Sequence, residues 1–433
     1  MINNSLRGQF RKLREHEGFR RYFSNTSWVF VGKVFTLVLS FFLFSYITRY
    51  LGPANLGKLS YAQSFVGLLA VFASFGIDHV LYRDLVKYKE RRNELLGSAL
   101  FIKILLGIIT FFVTLGIAYF SEGEKLIVQL IGIIALTNIF QPLTLPSFYF
   151  DAVQRSRINT IGMIVVSIIM AILKIMVIVF DKGIIYFAAV TTFEAVLNGT
   201  YFIFLYSYYY DTLTKWSVKI AVIKSLLRQS LPLLLASISA VIYSRIDQIM
   251  LMHYLDSAAV GLYSVAARIS EVWNFIPGLI IYSFFPAIVN AKLVDEKMYL
   301  RRFARLLLGV TSIAAFFALG VTLFAKLIIT IISGSEYLSA TGALQIYVWG
   351  VVGAVVVNTF QQLLVTEGWV RITFYITVIG AVINVLLNIW FIPKYGINGA
   401  AYATLIAYWM VPFSLLFFPQ TRGKMKALFM SSR

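Results

Sequence analysis

The chain has 433 residues, of which 59% are hydrophobic and only 13% charged, and its mean hydropathy is +0.81. A soluble chain carries about 45–50% apolar and about 25% charged residues, so this composition excludes a soluble globular protein and indicates a polytopic membrane protein. The formal charge of +19 would suggest a nucleic-acid partner in a soluble chain, whereas here Lys and Arg are expected in cytoplasmic loops, and the absence of cysteine excludes disulfides and thiolate chemistry.

Residues 1–26 are basic and end without a small-residue cleavage site, which argues against a cleaved signal peptide. Leu6, Phe10 and Leu13 recur at helical spacing among Arg and Lys, the pattern of an amphipathic helix on the cytoplasmic leaflet; a disordered basic tail has the same composition. A spanning helix needs about 20 mostly apolar residues. Twelve runs meet that need: 27–48, 60–80, 97–119, 126–149, 158–180, 184–207, 231–253, 259–286, 306–327, 340–365, 372–392 and 397–419. The expected fold is all-α, with two six-helix lobes at 27–210 and 231–419. A basic linker at 211–230 joins them, and a tail at 420–433 follows.

Charge placement supports the count. Clusters such as Arg83, Lys87, Lys89, Arg91 and Arg92, or Lys297, Arg301, Arg302 and Arg305, fall on the side of the N-terminus. The opposite loops hold only Arg49, Lys58, Lys125, Lys182, Lys326 and Lys394. Both termini are therefore expected in the cytoplasm.

The chain repeats itself. YLGPANLGKLSYA from Tyr50 matches YLDSAAVGLYSVA from Tyr254 at six of thirteen positions, 204 residues apart (254 − 50). Gly183, Ile184, Ala188 and Thr191 likewise match Gly396, Ile397, Ala401 and Thr404. Each half has an even number of runs, so the halves are parallel repeats, with substrate expected between them.

Charges within the runs are functional candidates, because a charge at the bilayer centre costs about 2.5–3.5 kcal/mol on insertion scales. The cations are Lys33, Lys103, Lys174, Arg245 and Arg268; the acids are Asp78, Glu194, Asp247 and Glu271. Lys33 shares a helix face with Thr36 and Ser40, as a cavity wall would require; snorkelling to the nearby cytoplasmic surface is the alternative. Lys103 lies near a helix end and is expected to snorkel to the surface. Lys174 can reach Glu194 across a hairpin, and Asp78 has Arg83 or another loop cation nearby. Arg268 and Glu271 are i,i+3 and can pair. Arg245 and Asp247 are i,i+2 and cannot neutralise each other, so each needs a partner elsewhere. No nucleotide-binding glycine loop, catalytic constellation or metal site is evident, and the far-side loops are too short to house a polymerase or ligase site.

Three stretches carry a family resemblance: RYLGPANLGKLSYA from Arg49, ASFGIDHVLYR from Ala73, and Arg245–Glu271 with its I-D and V-G-x-Y-S-x-A-x-R elements. In them the chain resembles the O-antigen and capsule repeat-unit flippases, polysaccharide transporters of the multidrug/oligosaccharidyl-lipid/polysaccharide superfamily. It lacks the two extra helices of the related lipid II flippases. The resemblance implies two lobes around a cationic cavity to which Lys33, Arg49, Lys174, Arg245 and Arg268 contribute, with Asp247, Glu271, Asp78 and Glu194 in coupling or supporting roles. The implied substrate is undecaprenyl-pyrophosphate oligosaccharide, flipped outward across the bacterial inner membrane by alternating access. No cofactor is expected; coupling to a proton, a cation or the membrane potential is. Implied partners are membrane lipids, a glycan polymerase and a chain-length regulator. A cation-coupled drug exporter of the same superfamily is the alternative transporter reading.

Overall fold

Hydrocarbon offers backbone N–H and C=O groups no partner, so a spanning chain must satisfy them within its own helices. The computed structural model describes residues 17–431, and among these every regular element is an α-helix or a short 3-10 helix. Leu6, Phe10 and Leu13 lie outside the described residues. Among the described residues, ten helices are long and apolar enough to cross a membrane. Two of them, Trp28–Ser74 and Arg371–Phe417, run for 47 residues each, about twice the length that a span requires. Each is broken once, at Gly52 (φ 67°, ψ 172°) and at Gly396 (φ 57°, ψ −135°), backbone positions that a side chain would strain. With those breaks the ten helices accommodate the twelve apolar runs.

The long helices are α1 (Glu17–Ser74), α2 (Ile77–Lys87), α3 (Arg92–Ser121), α4 (Lys125–Ala135), α5 (Ser156–Val179) and α6 (Ile184–Tyr209). Then come α7 (Ile220–Tyr254), α8 (Ser257–Val272), α9 (Phe275–Lys292) and α10 (Glu296–Ile332). The last three are α11 (Thr341–Thr366), α12 (Val370–Ser414) and α13 (Pro419–Ser431). Large apolar side chains such as Phe42, Phe112, Phe120 and Phe316 are exposed. That inverts the rule for soluble proteins, as lipid tails solvate them as well as a core would.

Packing divides the chain into two compact units. One comprises Met1–Phe44 and Leu69–Leu234; the other comprises Ser45–Leu68 and Leu235–Arg433. In the first unit, Ile77, Leu81, Leu85, Leu96, Phe150, Tyr206 and Leu226 form a closed core from α2, α3, the short helix at Pro146–Ala152, α6 and the start of α7. The linker is thus part of this core. Trp216 stacks edge-on against Tyr206 at 5.3 Å. Asp211 binds Lys215 at 2.8 Å, and that hydrogen bond holds its carboxyl below the usual range. The linker's second half and the seventh run form one helix, α7, because Pro232 removes a single backbone donor without ending the helix.

In the second unit α11 belongs to the most enclosed of the spans. The tail helix α13 is tied on by charge. Lys424 of α13 bridges Glu296 (2.9 Å) and Glu367, and its ammonium lies over the rings of Tyr299 and Trp369. Lys292 meets the other oxygen of Glu367 at 3.0 Å. Burial pushes the Glu367 carboxyl up, but hydrogen bonds and ion pairs with Lys424 and Lys292 outweigh it and leave it below the usual range. A depressed carboxylate stabilises above its unfolded pKa and stops doing so as pH falls through the folded one. Protection of α13 against hydrogen exchange should therefore be complete at pH 7 and fall away only below about pH 4. Loss of protection already at pH 6 would disprove this tie.

Candidate functional site

Helix α7 carries Arg245 and Asp247 two residues apart, and the structure sends them to opposite surroundings. Arg245 is exposed and, among the described residues, makes neither ion pair nor hydrogen bond. Asp247 is 4% exposed and, among the described residues, forms no ion pair. It is held instead by neutral groups. Tyr263 of α8 donates to Oδ2 at 2.5 Å and Thr404 of α12 to the same oxygen at 2.6 Å. Asn388 of α12 donates to Oδ1 at 2.6 Å. Around them, Asn388 Nδ2 reaches Asn384 Oδ1 (3.1 Å), and the Thr404 hydroxyl sits 3.1 Å from the Ala400 carbonyl.

An ionised carboxylate buried without a counter-charge costs several kcal/mol, so such a group is protonated, paired or bound to a cation. Six oxygen-bearing groups converge here: Asp247, Tyr263, Asn384, Asn388, Thr404 and the Ala400 carbonyl. The Asn388 carbonyl oxygen is buried and has no partner. One carboxylate among neutral oxygens suits a hard cation of low charge. No group of three His, Cys, Asp or Glu occurs among the described residues, which a transition metal would favour.

A second layer surrounds this centre. The Tyr263 ring packs edge-on against Tyr347 at 5.7 Å, and Tyr347 donates to Glu271 at 3.0 Å. Glu271 and Arg268 are both exposed on α8. Next to Asp247, Gln248 is buried and accepts a hydrogen bond from Ser64. Two tyrosines therefore separate the exposed acid from the buried one.

The remaining predicted residues are placed as follows. Lys33 is exposed on α1 and lies near enough to Asp151 to act on its charge. Lys174 and Glu194 meet at 3.9 Å across the α5–α6 hairpin. Asp78 does not use Arg83, which binds the adjacent Asp84 at 2.6 Å; it takes Lys103 at 2.5 Å. Lys103 is 4% exposed and so does not snorkel, because Asp78 meets its charge inside the unit. Arg49 spends its guanidinium on the C-terminus of α10, reaching the carbonyls of Thr330, Ile331 and Ile332, which α10 itself leaves unsatisfied. Ser45 also donates to the Ile332 carbonyl at 2.5 Å, and Tyr337 donates to that of Thr48 at 2.9 Å.

The two copies of the repeated motif touch. A Cβ on Gly57 would stand 1.6 Å from the Ser257 carbonyl oxygen, and one on Gly261 would stand 2.0 Å from that of Pro53. Gly57 matches Gly261 and Pro53 matches Ser257, each 204 positions apart, so the contact is reciprocal. Only glycine lets the two backbones approach this closely.

Sequence reasoning reached Asp247 but missed Tyr263, Asn384, Asn388 and Thr404. The pair Asn384 and Asn388, i,i+4 on one face of an apolar run, was the available signal.

Known proteins place this arrangement. A profile of the polysaccharide biosynthesis protein family matches residues 23–292, more than half of the chain, and one of the MatE family matches residues 232–390. An uncharacterized membrane protein of Methanocaldococcus jannaschii is 26% identical over 419 residues, covering 86% of this chain and 80% of that protein. The probable flippase AglR of Haloferax volcanii is 31% identical over 176 residues, 38% of this chain and 35% of AglR. The lipid II flippase MurJ, in an inward closed conformation, shares the fold with a TM-score of 0.74 at 18% identity, over 93% of this chain and 89% of MurJ. The chain belongs to the polysaccharide biosynthesis protein family, whose model matches more than half of it.

Proposed function

We propose that the chain flips a polyprenyl-pyrophosphate-linked oligosaccharide from the inner to the outer leaflet of the cytoplasmic membrane by alternating access. In a bacterium the carrier is undecaprenyl pyrophosphate, and the product feeds O-antigen, capsule or exopolysaccharide assembly by a polymerase and its chain-length regulator. The carrying observation is on α7: an unpartnered exposed guanidinium at Arg245 stands two residues from the buried carboxylate of Asp247. The names of AglR and MurJ support a glycan-lipid substrate. A sugar pyrophosphate cannot leave water unaided, and guanidinium groups replace its hydration with charge-assisted hydrogen bonds. Arg268, exposed and in the same unit as Arg245, would extend that surface.

Asp247, with Asn384, Asn388, Thr404 and the Ala400 carbonyl, would hold the coupling proton or monovalent cation, which supplies charge compensation when bound. Membrane potential favours outward movement of an anion by about 2.3 kcal/mol per charge per 100 mV. The MatE match favours a drug exporter as the second reading. The two differ in substrate sign: a cationic drug would be repelled by an unpaired Arg245.

Proteoliposomes containing a fluorescent polyprenyl-pyrophosphate oligosaccharide test this. Arg245→Ala is expected to cut its flipping about tenfold or more, with Arg245→Lys recovering part, because an arginine bound to a phosphate group contributes about 1.5–3 kcal/mol. Unchanged flipping in Arg245→Ala, or export of cationic dyes in place of the lipid, would refute the proposal.

A further inference from the structure

Helix α10 is 37 residues long, which at about 1.5 Å per residue is about 55 Å, well beyond a hydrocarbon core of about 30 Å. Its first turns therefore stand at headgroup depth. They carry Arg301, Arg302 and Arg305, all exposed. Arg302 donates to the Ala287 carbonyl at 3.2 Å. Arg301 and Arg305, i,i+4 on one face, make no ion pair or hydrogen bond among the described residues.

From this pair an apolar groove of about 800 Å³ runs along α10, walled by Leu308, Phe360, Trp409 and Phe413 and closed by α13. Thr311 lines it, with a hydroxyl that has no partner. A second apolar groove of about 430 Å³, walled by Phe284 and Ile313, leaves the other flank of α10, and Arg305 lines both. Two free guanidinium groups thus line the first greasy channel, and one of them, Arg305, also lines the second. A neutral transmembrane helix laid in either channel would leave both charges unmet. A phosphate carrying a single isoprenoid tail would fill one channel only. A phosphodiester with two acyl chains satisfies the charges and both grooves together.

We propose that the N-terminal end of α10 is a binding site for an anionic glycerophospholipid. Its phosphate lies between Arg301 and Arg305, and its acyl chains lie in the two flanking grooves. The site is independent of the Asp247 centre and does not rest on the flippase reading.

The test uses the full chain, purified in detergent and titrated with phosphatidylglycerol, phosphatidylcholine and glycerol 3-phosphate, with bound lipid counted by native mass spectrometry. One tightly held phosphatidylglycerol per chain is expected, and no retained glycerol 3-phosphate. Arg301→Gln with Arg305→Gln should weaken it about thirtyfold, since each basic residue near an anionic headgroup contributes about a factor of five. Arg301→Lys with Arg305→Lys should hold it nearly as well. Thr311→Phe, which fills the groove and leaves the charges, should also weaken it, so a misfolded glutamine pair does not end the test. Equal affinity for phosphatidylcholine, unchanged affinity in the folded glutamine pair, or displacement by glycerol 3-phosphate at matched concentration would overturn the assignment. So would preference for undecaprenyl phosphate, which would make this a seat for the substrate's own tail.

Discussion

Asp247→Asn is expected to insert, fold and resist heat at least as well as the parent, yet to flip substrate about tenfold or more slowly and without response to an ion gradient. The size follows from coupling energies, which commonly correspond to about 5–150-fold. The amide keeps the volume and lets Thr404 and Tyr263 keep an acceptor, while the buried charge that a coupling ion would answer is gone. Asp247→Ala should behave differently. It leaves the Tyr263, Thr404 and Asn388 donors facing empty space, at about 1–3 kcal/mol for each left unsatisfied. Lower stability in the alanine variant, with near-parental stability in the asparagine variant, separates a coupling role from a structural one. Measurement of flipping against sodium, potassium and proton gradients, alongside thermal unfolding, reads both. An asparagine variant that still responds to the gradient would remove Asp247 from coupling.

Gly57→Ala is the second large effect. Its new methyl would overlap the Ser257 carbonyl oxygen at 1.6 Å, a backbone atom that cannot rotate away. Forcing such a contact apart costs about 1–3 kcal/mol, enough to lower the population that makes it about tenfold. Gly261→Ala should give a similar result through the Pro53 carbonyl. The double variant should cost little more than either alone, because the first substitution has already parted the shared seam. Spin labels on residues 45–68 and on α8 would report the separation directly. Additive effects would show that the glycines act independently.

Much of this architecture is legible in sequence because its cause is one-dimensional. Membrane crossing depends on run length and apolarity, and those recovered the spans down to the two breaks, where Gly52 and Gly396 sit. The charges of α7 were also legible, since i,i+2 spacing forbids mutual neutralisation. What escaped was every partner without a charge. Asn384, Asn388, Tyr263 and Thr404 bind Asp247 or one another from two other helices, and hydropathy gives neutral polar residues little weight. Thr404 was visible only as part of a repeat. Arg49 illustrates the same limit, as its partners are main-chain carbonyls more than 280 residues away, which no side-chain pattern encodes. Local pairing also misled: Arg83 takes the neighbouring Asp84, and Asp78 then finds Lys103.

The reciprocal contact of Gly57 and Gly261 has the form of an isologous interface, in which one patch meets its own copy. A half-length ancestor bearing this motif would have paired with itself there as a homodimer, and any substitution would have struck both sides of the seam at once. Fusion into one chain removed that constraint. Pro53 now stands where the other copy has Ser257, and the position matching Asp247 is Leu43, buried and apolar (247 − 204). One half was thus free to acquire a buried acid while the other lost or never gained it. On this view the difference between Asp247 and Leu43 is one that fusion of two copies would permit and a homodimer would not.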